Sequence, residues 1–202
     1  MTILLTILKW GWITYLVTQS ILYVIKHRKW ITAYKQIDFR LFLSAIPLVL
    51  LTILSFMALL HLNESIFGWS WLLWVGNLLG VSDVRAVNLS LVGTDIPVLG
   101  IGICILLLIQ LPALALLEER FCRKGTKGWR DGLLRSIAFG LVHCLVGVPL
   151  AVGIALIIPG LWYTHLYFQG GVKRSAQGHF QYNLLVMLIV LAGAVLATIQ
   201  IL

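Results

Sequence analysis

Three short polar clusters carry the side chains of this sequence that could do chemistry: EERFCR from Glu118 to Arg123, FGLVH from Phe139 to His143, and HFQYN from His179 to Asn183. A carboxylate near an imidazole polarises a water molecule for attack, and a second imidazole with a carboxamide donates hydrogen bonds to an oxyanion as it forms. Glu118, His143, His179 and Asn183 make up that inventory, which suits amide hydrolysis without a nucleophilic Ser or Cys. His143, His179 and Glu118 are also an acceptable ligand set for a divalent metal such as zinc, although the compact H-E-x-x-H arrangement is absent and no cofactor is favoured.

Each cluster sits at or just inside the end of an apolar helix. Burying an ionisable group there costs roughly 2.5–3.5 kcal/mol on the insertion scale, so the expense suggests a function. With a rise of about 1.5 Å per residue, His143 lies ~12 Å beyond Arg135 and Glu118 ~7.5 Å before Arg123, while His179 and Asn183 follow shortly after Lys173 and Arg174. The three clusters are therefore expected at similar depth, lining one shared hollow that faces the basic side. Adjacent helical residues diverge by ~100°, so Glu118 is expected in the hollow and Glu119 on Arg123, its acid-first i,i+4 partner. Phe139, one turn before His143, is expected to wall the site.

The elements that must hold these residues are transmembrane helices. Of 202 residues, 60% are hydrophobic and 11% charged, too few polar groups to cover a soluble globule. The net charge of +8 gathers in short loops, which the positive-inside rule explains without a nucleic-acid partner. Cys104, Cys122 and Cys144 imply no disulfide framework.

Apolar spans are expected over residues 3–25, 41–62 and 97–117, with two helices between Asp131 and Gly170 meeting near Gly147–Pro149, and a last span over 180–202. Residues 66–80, rich in Trp, are too short to cross comfortably and fit an interfacial or re-entrant helix. Basic loops around Lys26–Arg40, Arg123–Arg130 and Lys173–Arg174 alternate with these spans. The result is an all-α polytopic bundle of about six spanning helices, one membrane domain over residues 1–202, with N-terminal helices in 1–96 and the polar clusters in 97–202. Membrane lipids are its expected surroundings, and the sequence does not set the oligomeric state.

Taken one at a time, the clusters have plainer explanations: EERFCR as a helix-end charge anchor, His143 as a packed histidine, His179 as an interfacial one. His165, in WYTHLYF, fits an aromatic belt, and Cys144 diverges too far from His143 to pair with it as a nucleophile. Jointly the clusters favour catalysis.

In order and spacing, EERFCR, FGLVH and HFQYN resemble the EExxxR, FxxxH and HxxxN motifs of the CAAX-protease and bacteriocin-processing (CPBP, or Abi) family of intramembrane proteases, over roughly the C-terminal half of the chain. The resemblance implies an all-helical membrane endopeptidase acting on a membrane-associated peptide or protein. Glu118 would be the general base, His143 its partner on the water, and His179 with Asn183 the oxyanion donors. Family members have been labelled metalloproteases, whereas the related eukaryotic CAAX endopeptidase looks like a metal-independent glutamate enzyme, the version preferred here. The Glu118–His143 interval is short for the family and leaves little room for a linker helix. The compact size suits a prokaryotic inner membrane with the site opening to the cytoplasm. Two other classes stay open: a non-catalytic scaffold or bacteriocin-immunity protein of the same fold, and a proton-coupled transporter.

Overall fold

The computed structural model describes residues 30–70 and 97–201, together with isolated positions between 11 and 22. Every regular element among the described residues is helical: α1 Trp30–Lys35, α2 Phe39–Leu62, the single turn α3 Glu64–Phe67, α4 Pro97–Cys122, α5 Trp129–Val142, a 3-10 turn His143–Val146, α6 Leu150–Ala155 and α7 Ile157–Ile201. Most of the expected first span over 3–25 and Trp71 and Trp74 of the expected interfacial helix lie outside the described residues.

Asp38 caps α2, its carboxylate accepting from the Arg40 and Leu41 amides at 3.0 and 3.3 Å, which supplies two of the four amides a helix start leaves unpaired. Only Leu41, Ala45 and Val49, at i, i+4 and i+8, are buried along α2. Leu50, Leu54 and Met57 are exposed, so α2 keeps apolar side chains on the faces that a soluble helix would make polar. Two stretches of the described chain are long and apolar enough to cross a membrane, Phe39–Leu62 and Leu150–Gly193.

The second of these is interrupted twice. Leu156 separates α6 from α7. Within α7, Gly170 and Gly171 leave helical geometry, and Gly171 adopts φ 66°, ψ −163°, a region essentially reserved for glycine. The chain reverses there. Sixteen residues of straight helix would separate Tyr163 from His179 by roughly 24 Å, yet their rings stack with centroids 4.4 Å apart. We therefore treat residues 157–169 as α7a and 172–201 as α7b, two arms of a helical hairpin. The last helix thus begins well before residue 180, which places His179 and Asn183 inside α7b.

The break expected near Gly147–Pro149 falls there: α5 ends at Val142, His143–Val146 form the 3-10 turn, and Gly147 takes φ 93°. Its carbonyl accepts from Ser70 Oγ at 2.6 Å, and the Leu150 amide donates to the Trp69 carbonyl at 3.0 Å, so the bend is pinned by the residues after α3.

The buried centre comprises Ala45 and Val49 of α2, Phe139 of α5, Tyr163 of α7a and Tyr182 of α7b. A second cluster joins Leu111 and Ala115 of α4 to Phe180 and Leu184 of α7b. Tyr34 of α1 closes that side, donating to the Leu108 carbonyl and meeting Phe180 edge-on.

Candidate active site

The end of α4 presents Glu118, half-exposed, and Glu119, wholly buried, and the equally buried Arg123 follows just past the helix. Beyond them the chain turns through Gly125 at φ 83°, and Arg135 holds the turn by donating to the Cys122 carbonyl at 3.1 Å while paired with Asp131 at 2.8 Å.

Glu119 is a wholly buried carboxylate with three polar neighbours. It accepts from Ser175 Oγ, lies 3.0 Å from His179 Nδ1, and stands 3.6 Å from Arg123 Nε. Ser175 Oγ also reaches the Tyr163 carbonyl at 3.0 Å, linking α7b to α7a beside the acid. Arg123 donates to the Gly160 carbonyl at 3.0 Å and lies over the Phe139 ring at 5.2 Å. Its approach requires small residues opposite: a Cβ at Gly160 would sit 3.2 Å from the guanidinium and 3.1 Å from Ser136.

His179, 2% exposed, is stacked on Tyr163 and meets Phe139 edge-on at 5.4 Å. With Nδ1 donating to Glu119, Nε2 is left for chemistry, and it stands 3.5 Å from the Glu118 carboxylate. Glu119 keeps the expected pairing with Arg123 and, beyond that expectation, also holds His179. An imidazole has nitrogens on two edges, so a ring lying against the end of α4 meets adjacent carboxylates despite their ~100° divergence.

His143 is placed differently. It occupies the 3-10 turn at the end of α5, and its Nδ1 donates to the Phe139 carbonyl at 2.7 Å. It lines a cleft of about 430 Å³ with Asn183, Thr52, Tyr182 and apolar residues that include Phe56, Val186 and Ile189. Glu118 and His179 do not line this cleft, and no hydrogen bond or ion pair joins Glu118 to His143. The four candidates thus form two pairs, Glu118 with His179 and His143 with Asn183. Phe139 lies between them, edge-on to both imidazoles at 4.9 and 5.4 Å. Helix depth fixes height along a helix and leaves rotation free, so it did not foretell the Phe139 ring that stands beside both imidazoles.

Among the described residues no group of three or more His, Cys, Asp and Glu side chains is gathered closely enough to hold a metal ion, so Glu118, His143 and His179 do not form a ligand set here. His165 lies apart from both pairs, stacked at 6.2 Å on Trp129 and bonded to Gln169.

Two contributors were not singled out from sequence. Ser175 is one helical turn before His179, so extending the His179–Asn183 stripe backwards would have found it. Tyr163 was read only as part of WYTHLYF, and its place against His179 depends on the reversal at Gly170–Gly171. Comparison with protein-family models, curated proteins and solved structures found no match to this chain.

Proposed function

We propose that the chain is an intramembrane endopeptidase of the CPBP type, a six-span protein of a prokaryotic inner membrane whose site opens to the cytoplasm. The observation that carries the reading is His179, buried and fixed at Nδ1 by Glu119, with its free nitrogen 3.5 Å from the half-exposed Glu118. A structural ion pair needs one carboxylate on an imidazole. A second, solvent-reachable carboxylate on the other edge suits proton transfer.

In this reading Glu118 takes a proton from water as the oxygen attacks the carbonyl carbon of a membrane-associated peptide. The developing oxyanion accepts hydrogen bonds from Asn183 and from His179 carrying both ring protons, and Glu118 passes its proton to the departing amine. His143, its Nδ1 committed to Phe139, offers Nε2 to the water or peptide in the cleft. The apolar lining of that cleft suits a substrate arriving through the bilayer. No step requires a metal, and zinc is retained only as a variable to test.

The test is product formation by purified protein reconstituted in liposomes with membrane-anchored reporter peptides, read by mass spectrometry. Products from the wild-type chain, lost in Glu118→Gln and unaffected by chelator, support the reading. Full biological function in folded Glu118→Gln and His179→Ala variants would instead favour the scaffold, and a pH-gradient-driven flux lost with the same residues would favour the transporter.

A further inference from the structure

The end of α4 bears a second feature that this chemistry leaves unused. Leu117, Arg120 and Phe121, spaced i, i+3 and i+4, share one stripe of α4, and Lys124 follows in the turn just past its end. With Val172 at the start of α7b they line a shallow hollow of about 580 Å³. Phe121 is 82% exposed and Leu117 64%.

Neither Arg120 nor Lys124 has an acidic partner among the described residues. The neighbouring Glu118 and Glu119 are turned onto His179 and Ser175, Asp131 is held by Arg135, and Asp38 by Arg174. Cations in the last turns of a helix are favoured by its dipole, which accounts for their charge. It does not account for a nearly bare phenylalanine and leucine between and beside them. Leu117 lies toward the body of α4 and Lys124 just past its end, with Arg120 and Phe121 adjacent between them, so cationic and apolar side chains adjoin along the hollow. That adjacency suits the level where acyl chain meets phosphate at a bilayer surface.

We propose that this hollow binds an anionic phospholipid, its phosphate between Arg120 and Lys124 and its upper acyl methylenes over Leu117 and Phe121. A guanidinium offers paired donors to phosphate oxygens and the ammonium adds a point charge. The adjoining apolar side chains select an amphiphile over free phosphate. The proposal rests on the chain's residence in a bilayer, though not on its being a protease.

Detergent-solubilised protein would be incubated with dioleoyl phosphatidylglycerol or dioleoyl phosphatidylcholine, and retained lipid counted by native mass spectrometry. Arg120→Ala/Lys124→Ala should lose the preference for phosphatidylglycerol by on the order of tenfold. Lys127→Ala/Arg130→Ala, of the same net charge, should keep it, and millimolar inorganic phosphate should not displace the lipid. Undiminished preference in the first variant, equal loss in the second, or displacement by phosphate would each overturn the proposal. Carbonate extraction of native membranes separates the premises: release of the protein removes the bilayer reading as well, whereas retention beside an unaffected Arg120→Ala/Lys124→Ala removes only the lipid site.

Discussion

His179 joins two neighbouring carboxylates of α4 through opposite edges of one ring, Nδ1 at 3.0 Å from Glu119 and Nε2 at 3.5 Å from Glu118. The two acids have different surroundings, since Glu119 is wholly buried and Glu118 is 37% exposed. Different consequences follow when each is changed.

Glu118→Gln keeps the shape of a half-exposed side chain and removes its proton-accepting ability. Loss of a general base typically lowers turnover by about 10²–10⁴-fold. Peptide-cleavage rates should fall by that order while the thermal unfolding midpoint stays near that of the parent. A variant that cleaves at the parental rate would exclude Glu118 as the base.

Glu119→Ala should damage stability first. It leaves Arg123 as an uncompensated cation and His179 Nδ1 without its acceptor, while Ser175 keeps only the Tyr163 carbonyl, and breaking a buried pair costs about 3–5 kcal/mol. Denaturant titration in mild detergent, followed by tryptophan fluorescence, should show a large fall in unfolding free energy. Arg123→Lys should recover little, because an ammonium cannot reproduce the planar group that reaches the Gly160 carbonyl across the Phe139 face.

Glycine replacements should split by location. A Cβ at Gly140 would press on the backbone carbonyl of Gly153, where neither partner can give, whereas one at Gly193 meets nothing within 4 Å. Gly140→Ala should therefore cost about 1–3 kcal/mol or more. Gly193→Ala should be neutral or mildly stabilising through helix propensity. Thermal midpoints of the two variants measured side by side test the α5–α6 approach.

Acid should weaken the tie between α1, α2 and α7b. The Arg174 guanidinium, then the Leu41 amide, hold the Asp38 carboxyl below its ordinary value of 3.8. Arg135 and the Lys127 amide do the same for Asp131. Because the folded state favours the ionised form, the stabilisation is complete above the unfolded value and disappears as pH falls through the folded one. Unfolding midpoints should be insensitive to these groups from pH 5 to 8 and decline below about pH 4. Asp38→Asn should lower stability at neutral pH and flatten the acid decline.

The helical character of the chain and the α5 break at Gly147 were legible because apolar runs and Gly/Pro punctuation act locally. So was the pairing of Glu119 with Arg123, since i,i+4 spacing is a property of one helix. What local spacing leaves open is rotation between helices. His143 and His179 sit on elements whose relative turn depends on the 3-10 segment and on Gly171, so sequence depth did not foretell that the Phe139 ring would stand beside both imidazoles. Ser175 escaped notice because a lone serine carries no charge to flag it, although it stands one turn from His179.

The reversal at Gly170–Gly171 also sets a rotational phase. Ser175 and His179 reach Glu119 only because the second arm leaves the turn at one particular angle. A single residue inserted after Gly171 would advance that arm by about 100°, unhooking both side chains from the acid while leaving each helix intact. Length at this turn is therefore as much a part of the candidate chemistry as the identities of the polar residues, and a one-residue change there should silence the site more thoroughly than most side-chain substitutions within it.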